Sequence, residues 1–202
     1  MRGQSGMAGQ DVNPSSAYIL YKLLLRIAEN NAQREHAGLL IGMADPQATN
    51  DLVTRINGMP LRDYISMPKI NMSGIEDAGF GRLEDYLRQV SREPGAILFT
   101  NDGLLYNDRI MIEGVDRSIH GPEYIKERGA RHTAGVFASY YTNGLWFILS
   151  EEHNSLTVVK NGMVLTTSAD IKTVYGNING EVLNKGQFMA RINSRDYRSR
   201  GE

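Results

Sequence analysis

The stretch AILFTNDGLLY, residues 96–106, decides the predicted fold and contains the first candidate site. Its first four residues are continuously apolar and predict a buried strand, and a short polar segment separates them from a second apolar run. An Asp-Gly pair between apolar runs is typical of a hairpin turn. A carboxylate at a strand end beside a glycine, here Asp102 and Gly103, also suits a site for a divalent cation and a phosphate. Both interpretations stay open at this point.

The flanking sequence predicts a mixture of helices and strands. Asn13-Pro14-Ser15-Ser16 is typical of a helix start, and apolar residues at helical spacing continue to Asn31. The pair Asn107-Asp108 predicts a hairpin turn, and Pro122 predicts the start of a short helix that ends at Gly129. A further helix is predicted at residues 83–90, and strands at 38–42, 96–99, 135–140, 145–149, 155–159 and 163–166. Asn143-Gly144 and Asn161-Gly162 predict turns between consecutive strands.

This order of elements predicts a mixed α/β (α+β) fold with a central twisted sheet, mixed but largely antiparallel, flanked by helices. We expect residues 1–12 to be a disordered leader and residues 13–183 to form one domain. Within it, residues 44–81 are interrupted by glycine and proline and are predicted to be a divergent insertion. Residues 184–202 are predicted to be a flexible basic tail.

The composition excludes several classes of protein. The chain has 22 Lys and Arg against 23 Asp and Glu, so no overall field attracts it to nucleic acid or to an anionic membrane. The absence of cysteine excludes disulfides, thiolate nucleophiles and cysteine-ligated metals. Its apolar runs fall far short of the ~20 residues of a membrane span. We therefore expect a soluble, cytoplasmic protein with no membrane or nucleic-acid partner. If it binds an anion, nearby side chains and amides must hold that anion, because the chain has no overall positive charge.

A second polar cluster, Arg131-His132-Thr133, lies between the predicted short helix and the predicted strand at 135–140. It combines a guanidinium, an imidazole and a hydroxyl, and a guanidinium can donate to two phosphate oxygens at once. This set of donors suits a triphosphate. The alternative is a helix end at Gly129 followed by solvent-facing polar residues.

A third cluster, Ser150-Glu151-Glu152, follows an apolar strand. Two adjacent acids at such a place often form only a solvated turn. Beside bound phosphates, however, one of the carboxylates could complete a metal site. If the strand continued, the two glutamates would point to opposite faces, so only one of them would serve. The other histidines, His36, His120 and His153, have no spacing typical of metal ligands.

These three clusters, in this order, resemble the motifs of the diadenylate cyclase domain family. That family has Asp-Gly-Ala at a strand end, then Arg-His-Thr or Arg-His-Arg, then Ser-Glu-Glu. The resemblance extends over most of residues 18–166 and includes the first helix and the strand at 38–42. It implies a nucleotide-binding domain that condenses two ATP into cyclic di-AMP and releases two pyrophosphates. It also implies a homo-oligomer in which two copies face each other, because one domain supplies only half of a site.

The resemblance also implies roles for the residues of the three clusters. Asp102 would activate the 3′-hydroxyl and bind a metal ion, Mn²⁺ or Mg²⁺, and Gly103 would allow close approach of the nucleotide, next to Leu104. Arg131, His132 and Thr133 would hold the phosphates. Ser150 and Glu151 would contact the substrate, and Glu151 or Glu152 would complete the metal site. We therefore expect the three clusters to form a single pocket open to a second copy.

Three departures from the family pattern keep other functions open. Leu104 replaces a small residue, Asn101 stands where related sequences often have histidine, and Ala130 stands where threonine is common. One alternative is a non-catalytic module that senses a nucleotide or a cyclic dinucleotide. Another is a nucleotidyltransferase that joins a nucleotide to a different hydroxyl group.

Overall fold

The computed structural model describes residues 11–31, 37–49, 53–55, 77–112, 129–168, 171–173, 176–178 and 181–194. The helices of these segments are α1 (Pro14–Asn30), α2 (Pro46–Thr49), α3 (Asp77–Val90), α4 (Ala130–Thr142) and α5 (Lys185–Asn193). The strands are β1 (Leu39–Met43), β2 (Val53–Arg55), β3 (Ala96–Phe99), β4 (Leu105–Ile112), β5 (Leu145–Ser150), β6 (Ser155–Lys160), β7 (Met163–Thr167), β8 (Ile171–Thr173) and β9 (Gly176–Ile178).

Seven strands form one sheet in the order β2-β4-β3-β1-β5-β6-β7, and β8 pairs with β9 separately. β1 runs parallel to β3, with Met43 opposite Phe99. On its other side β1 runs antiparallel to β5, with Leu39 opposite Leu149. The remaining neighbours in the described sheet are antiparallel. The predicted fold class, a mixed and largely antiparallel sheet flanked by helices, is confirmed.

The helices cover both faces of the sheet. α1 begins as predicted, because the Asn13 side chain accepts hydrogen bonds from the amides of Ser15 and Ser16. Its apolar side packs against one face of the sheet together with α3 and α5. α4 packs against the other face, where Val136 and Ala138 join Trp146 in a second apolar cluster. The first helix and most predicted strands therefore lie where the sequence places them.

The strand predicted at residues 135–140 is wrong, because these residues lie within helix α4. A short apolar run does not distinguish a strand from a buried helix segment, and here packing decides. Gly135 allows the helix to approach the sheet closely: a Cβ at this position would lie 2.8 Å from the Ile148 side chain. Asn143, with φ of 51°, adopts the left-handed conformation that ends the helix, so it is a helix cap rather than a hairpin residue.

The hairpin turn predicted at Asn107-Asp108 is also wrong. Both residues lie inside β4, where the register with β3 shifts and Arg109 has a φ of 55°. The Asp108 carboxylate is buried and accepts a hydrogen bond from the Tyr86 hydroxyl at 2.9 Å, which compensates for its position inside the sheet. The turn between β3 and β4 lies earlier, at residues 100–104.

The predicted basic tail contains a folded helix, so the prediction of flexibility is wrong for residues 184–194. Asn184 and Gln187 form a reciprocal capping box at the start of α5. Phe188 is buried and stacks on Tyr21 at a centroid distance of 4.7 Å. Burial raises the pKa of Tyr21, and its hydroxyl accepts a hydrogen bond from the Leu183 amide. These contacts fix the segment against α1.

Several predictions concern residues outside the described segments. They include most of the leader, the helix predicted after Pro122, and the end of the tail from residue 195. Of the predicted insertion at 44–81, the described parts are α2, the edge strand β2 and the start of α3. Among the described helices, none combines the length and the apolar character needed to cross a membrane.

Candidate functional site

The candidate site lies at the amino-terminal end of α4. The helix begins after Gly129, which has φ of 81° and brings no side chain to cap the first turn. The first amides of a helix lack intrahelical acceptors and carry the positive end of the helix dipole. This end of α4 is therefore suited to an anion. The sequence predicted Gly129 as the end of a helix that begins at Pro122, which lies outside the described residues, and it did not predict that a helix begins after Gly129.

A hollow of about 560 Å³ opens at this helix end. It combines the start of α4 with the end of β5 and the turn that follows, so two of the three sequence clusters meet in it. Its described lining consists of Gly129, Ala130, Arg131, His132, Leu149, Ser150, Glu151, Glu152 and His153.

An ion pair lies at the mouth of the hollow. Arg131 Nη1 lies 3.2 Å from Glu151 Oε2, and the two side chains are 39% and 46% exposed. A pair this exposed contributes only about 0–1 kcal/mol, so an incoming phosphate can compete with the glutamate for the guanidinium. In the described lining Arg131 is the permanently charged cation, and Glu151 and Glu152 are anions, so Arg131 and the helix amides are the groups that would attract a phosphate.

Gly38 is a residue of this site that the sequence analysis did not identify. It lies just before β1, and a Cβ on it would overlap the Arg131 guanidinium and lie 2.7 Å from Glu151 Oε2. The missing side chain therefore makes room for the ion pair. The sequence marked this glycine only as the boundary of a strand, because its contact with α4 and β5 depends on the order of strands in the sheet.

The remaining members of the two clusters differ in position. His132 is buried in the first turn of α4, and Glu152 is exposed. The Ser150 hydroxyl accepts a hydrogen bond from the His153 amide at 3.3 Å. Thr133 is not among the described residues that line the hollow, and its hydroxyl donates to the Gly129 carbonyl at 3.2 Å. Its predicted contact with phosphate remains a prediction.

Asp102 lies at the opposite edge of the sheet from the hollow, where "edge" means the line along which strand ends meet: β1 and β3 end at the edge near Asp102, and β5 ends at the edge near the hollow. It is exposed in the turn after β3, whose end lies beside Met43 at the end of β1. The end of β5, next to the hollow, lies beside Leu39 at the start of β1. These two positions are separated by the length of β1, about 13 Å at ~3.3 Å per residue. The expectation that all three clusters share one pocket is therefore wrong for a single chain.

The neighbours of Asp102 stay with it at that edge. Gly103 is buried with φ of 87°, a conformation that favours glycine, and Leu104 is half-buried. Within the described residues, no group of three or more His, Asp or Glu side chains is placed to hold a metal ion. Asp102, Glu151 and Glu152 thus do not form the predicted metal site within one chain, because Asp102 is at the wrong edge.

Comparisons with known proteins give only distant similarities. No family model and no curated protein sequence matches the chain. A solved structure from Bacillus cereus, described as a hypothetical membrane spanning protein, has 17% identity and a TM-score of 0.49. That match covers 74% of this chain but only 61% of the other. A double mutant of DacA from Staphylococcus aureus has 16% identity and a TM-score of 0.45, covering 86% of this chain and 90% of the other. Similarities at this level establish no shared activity.

We predict that Gly38→Ala weakens the binding of an inorganic triphosphate. The added Cβ displaces the Arg131 guanidinium, and losing one charge-assisted contact weakens binding roughly tenfold. Titration calorimetry with sodium tripolyphosphate measures this change. Gly81→Ala is the matched control, because nothing lies within 4 Å of its added Cβ. Equal affinities for the two variants would contradict the assignment of the hollow as an anion site.

Proposed function

We propose that this protein is a diadenylate cyclase that condenses two ATP into cyclic di-AMP between two facing copies of the chain. The observation that carries the proposal is the hollow at the start of α4. In it Arg131 and His132 of one motif lie beside Ser150 and Glu151 of another. Both motifs belong to the set that resembles this family. A cytoplasmic location remains a prediction from the cysteine-free composition.

The hollow would hold the triphosphate of one ATP. Arg131 can donate to two phosphate oxygens, and the first residues of α4, whose amides lack intrahelical acceptors, line the same hollow. Phosphate oxygens would replace Glu151 as the partner of Arg131. Phosphoryl transfer depends mainly on positioning and on positive charge near the transferred group. Arg131 and the first amides of α4 would supply the positive charge, once the phosphates have displaced Glu151.

Asp102 would act on the ATP held by the other copy. A twofold axis makes two copies present the same surfaces to each other, so it can bring Asp102 of each protomer to the hollow of its partner. The carboxylate accepts the proton of a 3′-hydroxyl, and the 3′-oxygen bonds to the facing α-phosphorus. The bond from that phosphorus to the β-bridging oxygen breaks, and pyrophosphate leaves with the electron pair. The same step at the second site closes the ring.

A divalent ion, Mn²⁺ or Mg²⁺, is part of the proposal through the family resemblance alone. The described residues of one chain do not form its site, and none of the steps above passes through it. Neutralising charge on the phosphates is the chemistry that such an ion supplies.

The second candidate is a module that binds a nucleotide or cyclic dinucleotide without turnover. It is favoured by the distance between Asp102 and the hollow, which leaves a single chain with only an anion site. The half-buried Leu104 next to Asp102 also supports it, because this bulk restricts the approach of a nucleotide to the turn.

The direct test is to incubate the pure chain with ATP and Mn²⁺ or Mg²⁺ and to quantify cyclic di-AMP by mass spectrometry. We expect product, and we expect Asp102→Asn to lower the rate by roughly 10²-fold or more, because the proton acceptor is lost. Asp85→Asn, on the exposed side of α3, is the matched control.

ATP binding by the folded chain without product under either metal would contradict cyclase activity and leave the binding module. Release of pyrophosphate with a different nucleotide product would identify another nucleotidyltransferase.

Mixing the wild-type chain with Asp102→Asn tests whether the site forms between chains. Each bond needs the carboxylate of one copy and the nucleotides held by both, so a mixed dimer can form the first bond but lacks the carboxylate for the second. With random pairing, about a quarter of the dimers are wild-type, so cyclic di-AMP should form at about a quarter of the rate of the same total amount of wild-type chain, and the open linear dinucleotide should accumulate. Cyclic di-AMP at about half of that rate, without the linear product, would contradict the two-chain site.

A further inference from the structure

The turn that carries Asp102 is attached to the first turn of α1. The Ser16 hydroxyl donates to the Asp102 carbonyl at 3.1 Å, and the Asn13 amide donates to the Asn101 carbonyl at 2.8 Å. Ser16 is fully buried. The sequence assigned Ser16 only to the start of a helix, because its contact with Asp102 joins residues 86 positions apart in the chain.

Hydrogen bonds within the turn make it a compact unit. The Gly103 amide donates to the Thr100 carbonyl at 2.9 Å, and the Thr100 amide donates to the Leu104 carbonyl at 2.8 Å. The Leu104 amide also donates to the Thr100 hydroxyl at 3.2 Å. The turn is therefore compact, and its two hydrogen bonds with Asn13 and Ser16 support it in addition to the ends of β3 and β4.

α1 is a firm support for such a contact. The Asn13 side chain caps its first amides, and Ala17 and Leu20, which follow Ser16, are fully buried in the main core. Movement of the first turn of α1 would expose this core, so the position of Ser16 is fixed by packing. The Asp102 side chain itself remains exposed and available to a second molecule.

We propose that Ser16 is a positioning residue for catalysis, which holds the Asp102 turn so that the carboxylate reaches the 3′-hydroxyl on the facing copy. This inference rests on the proposed cyclase function. A displacement of a catalytic group by about 1 Å can reduce a rate by up to roughly 10²-fold, so one hydrogen bond that orients the turn can have a measurable effect.

The geometry predicts which kinetic constant changes. The hollow that holds the triphosphate lies at the opposite edge of the sheet from Ser16. Loss of the Ser16 hydroxyl therefore leaves the binding of ATP unchanged and lowers the rate of the chemical step. A general loss of fold stability would instead reduce the amount of active protein and the melting temperature.

The experiment compares Ser16→Ala with Ser15→Ala in steady-state cyclase assays, together with thermal melting. Ser15 is the matched control, because it is the adjacent serine and is exposed. We expect Ser16→Ala to lower kcat roughly tenfold with KM for ATP unchanged, and Ser15→Ala to retain the wild-type values.

A double-mutant cycle separates positioning from a structural role. In the Asp102→Asn background, Ser16→Ala should have no further effect on kcat, because both changes act through the same carboxylate. Equal kcat for Ser16→Ala and Ser15→Ala, or an undiminished effect in the Asp102→Asn background, would overturn the role of Ser16 while leaving the cyclase function intact. Absence of product from the unsubstituted chain would instead overturn both.

Discussion

β1 pairs with two strands that run in opposite directions to each other, and this pairing determines the arrangement of the candidate site. β1 is parallel to β3 and antiparallel to β5, and backbone hydrogen bonds fix both registers. The chain therefore leaves β3 at one edge of the sheet and leaves β5 at the other. This pairing alone determines at which edge the polar groups that follow β3 and β5 lie, whatever their chemistry.

In the proposed function, one edge binds the triphosphate and the other carries the group that reacts. At the end of β5, the start of α4 and the Arg131–Glu151 pair provide exchangeable positive charge in an open hollow. At the end of β3, Asp102 is presented on a turn that is fixed to α1. In an isolated chain with this arrangement, the Asp102 carboxylate cannot reach a phosphate held in the hollow. The proposed function therefore needs a second copy to bridge this separation.

The sequence predicted those elements that have local signals. The Asn13 cap, the glycine-bounded strand β1 and the Asn161-Gly162 turn, whose φ angles are 52° and 75°, all follow from rules about neighbouring residues. The predictions for α4, for the interior of β4 and for α5 failed because distant contacts decide them. Phe188, for example, is ordered by Tyr21, which lies far away in the sequence.

The candidate site was predictable in part for the same reason. The residue types that gather at the start of α4 were identified from their donor groups, and the structure brings Arg131 and Glu151 together. The separation of Asp102 from them was not predictable, because no local pattern tells whether β1 pairs with β3, with β5 or with both. The sequence analysis also missed Gly38 as a site residue, because only the packed sheet shows that a side chain there would collide with Arg131 and Glu151.

Thiol cross-linking tests most directly whether the two edges meet between copies. The chain has no cysteine, so Asp102→Cys and Glu151→Cys each introduce a single thiol at an exposed position. In a mixture of the two variants, a short bismaleimide should produce a covalent dimer, and in a chain that carries both substitutions it should form no bridge within the chain. A bridge within one chain, or no dimer in the mixture, would contradict the two-chain site.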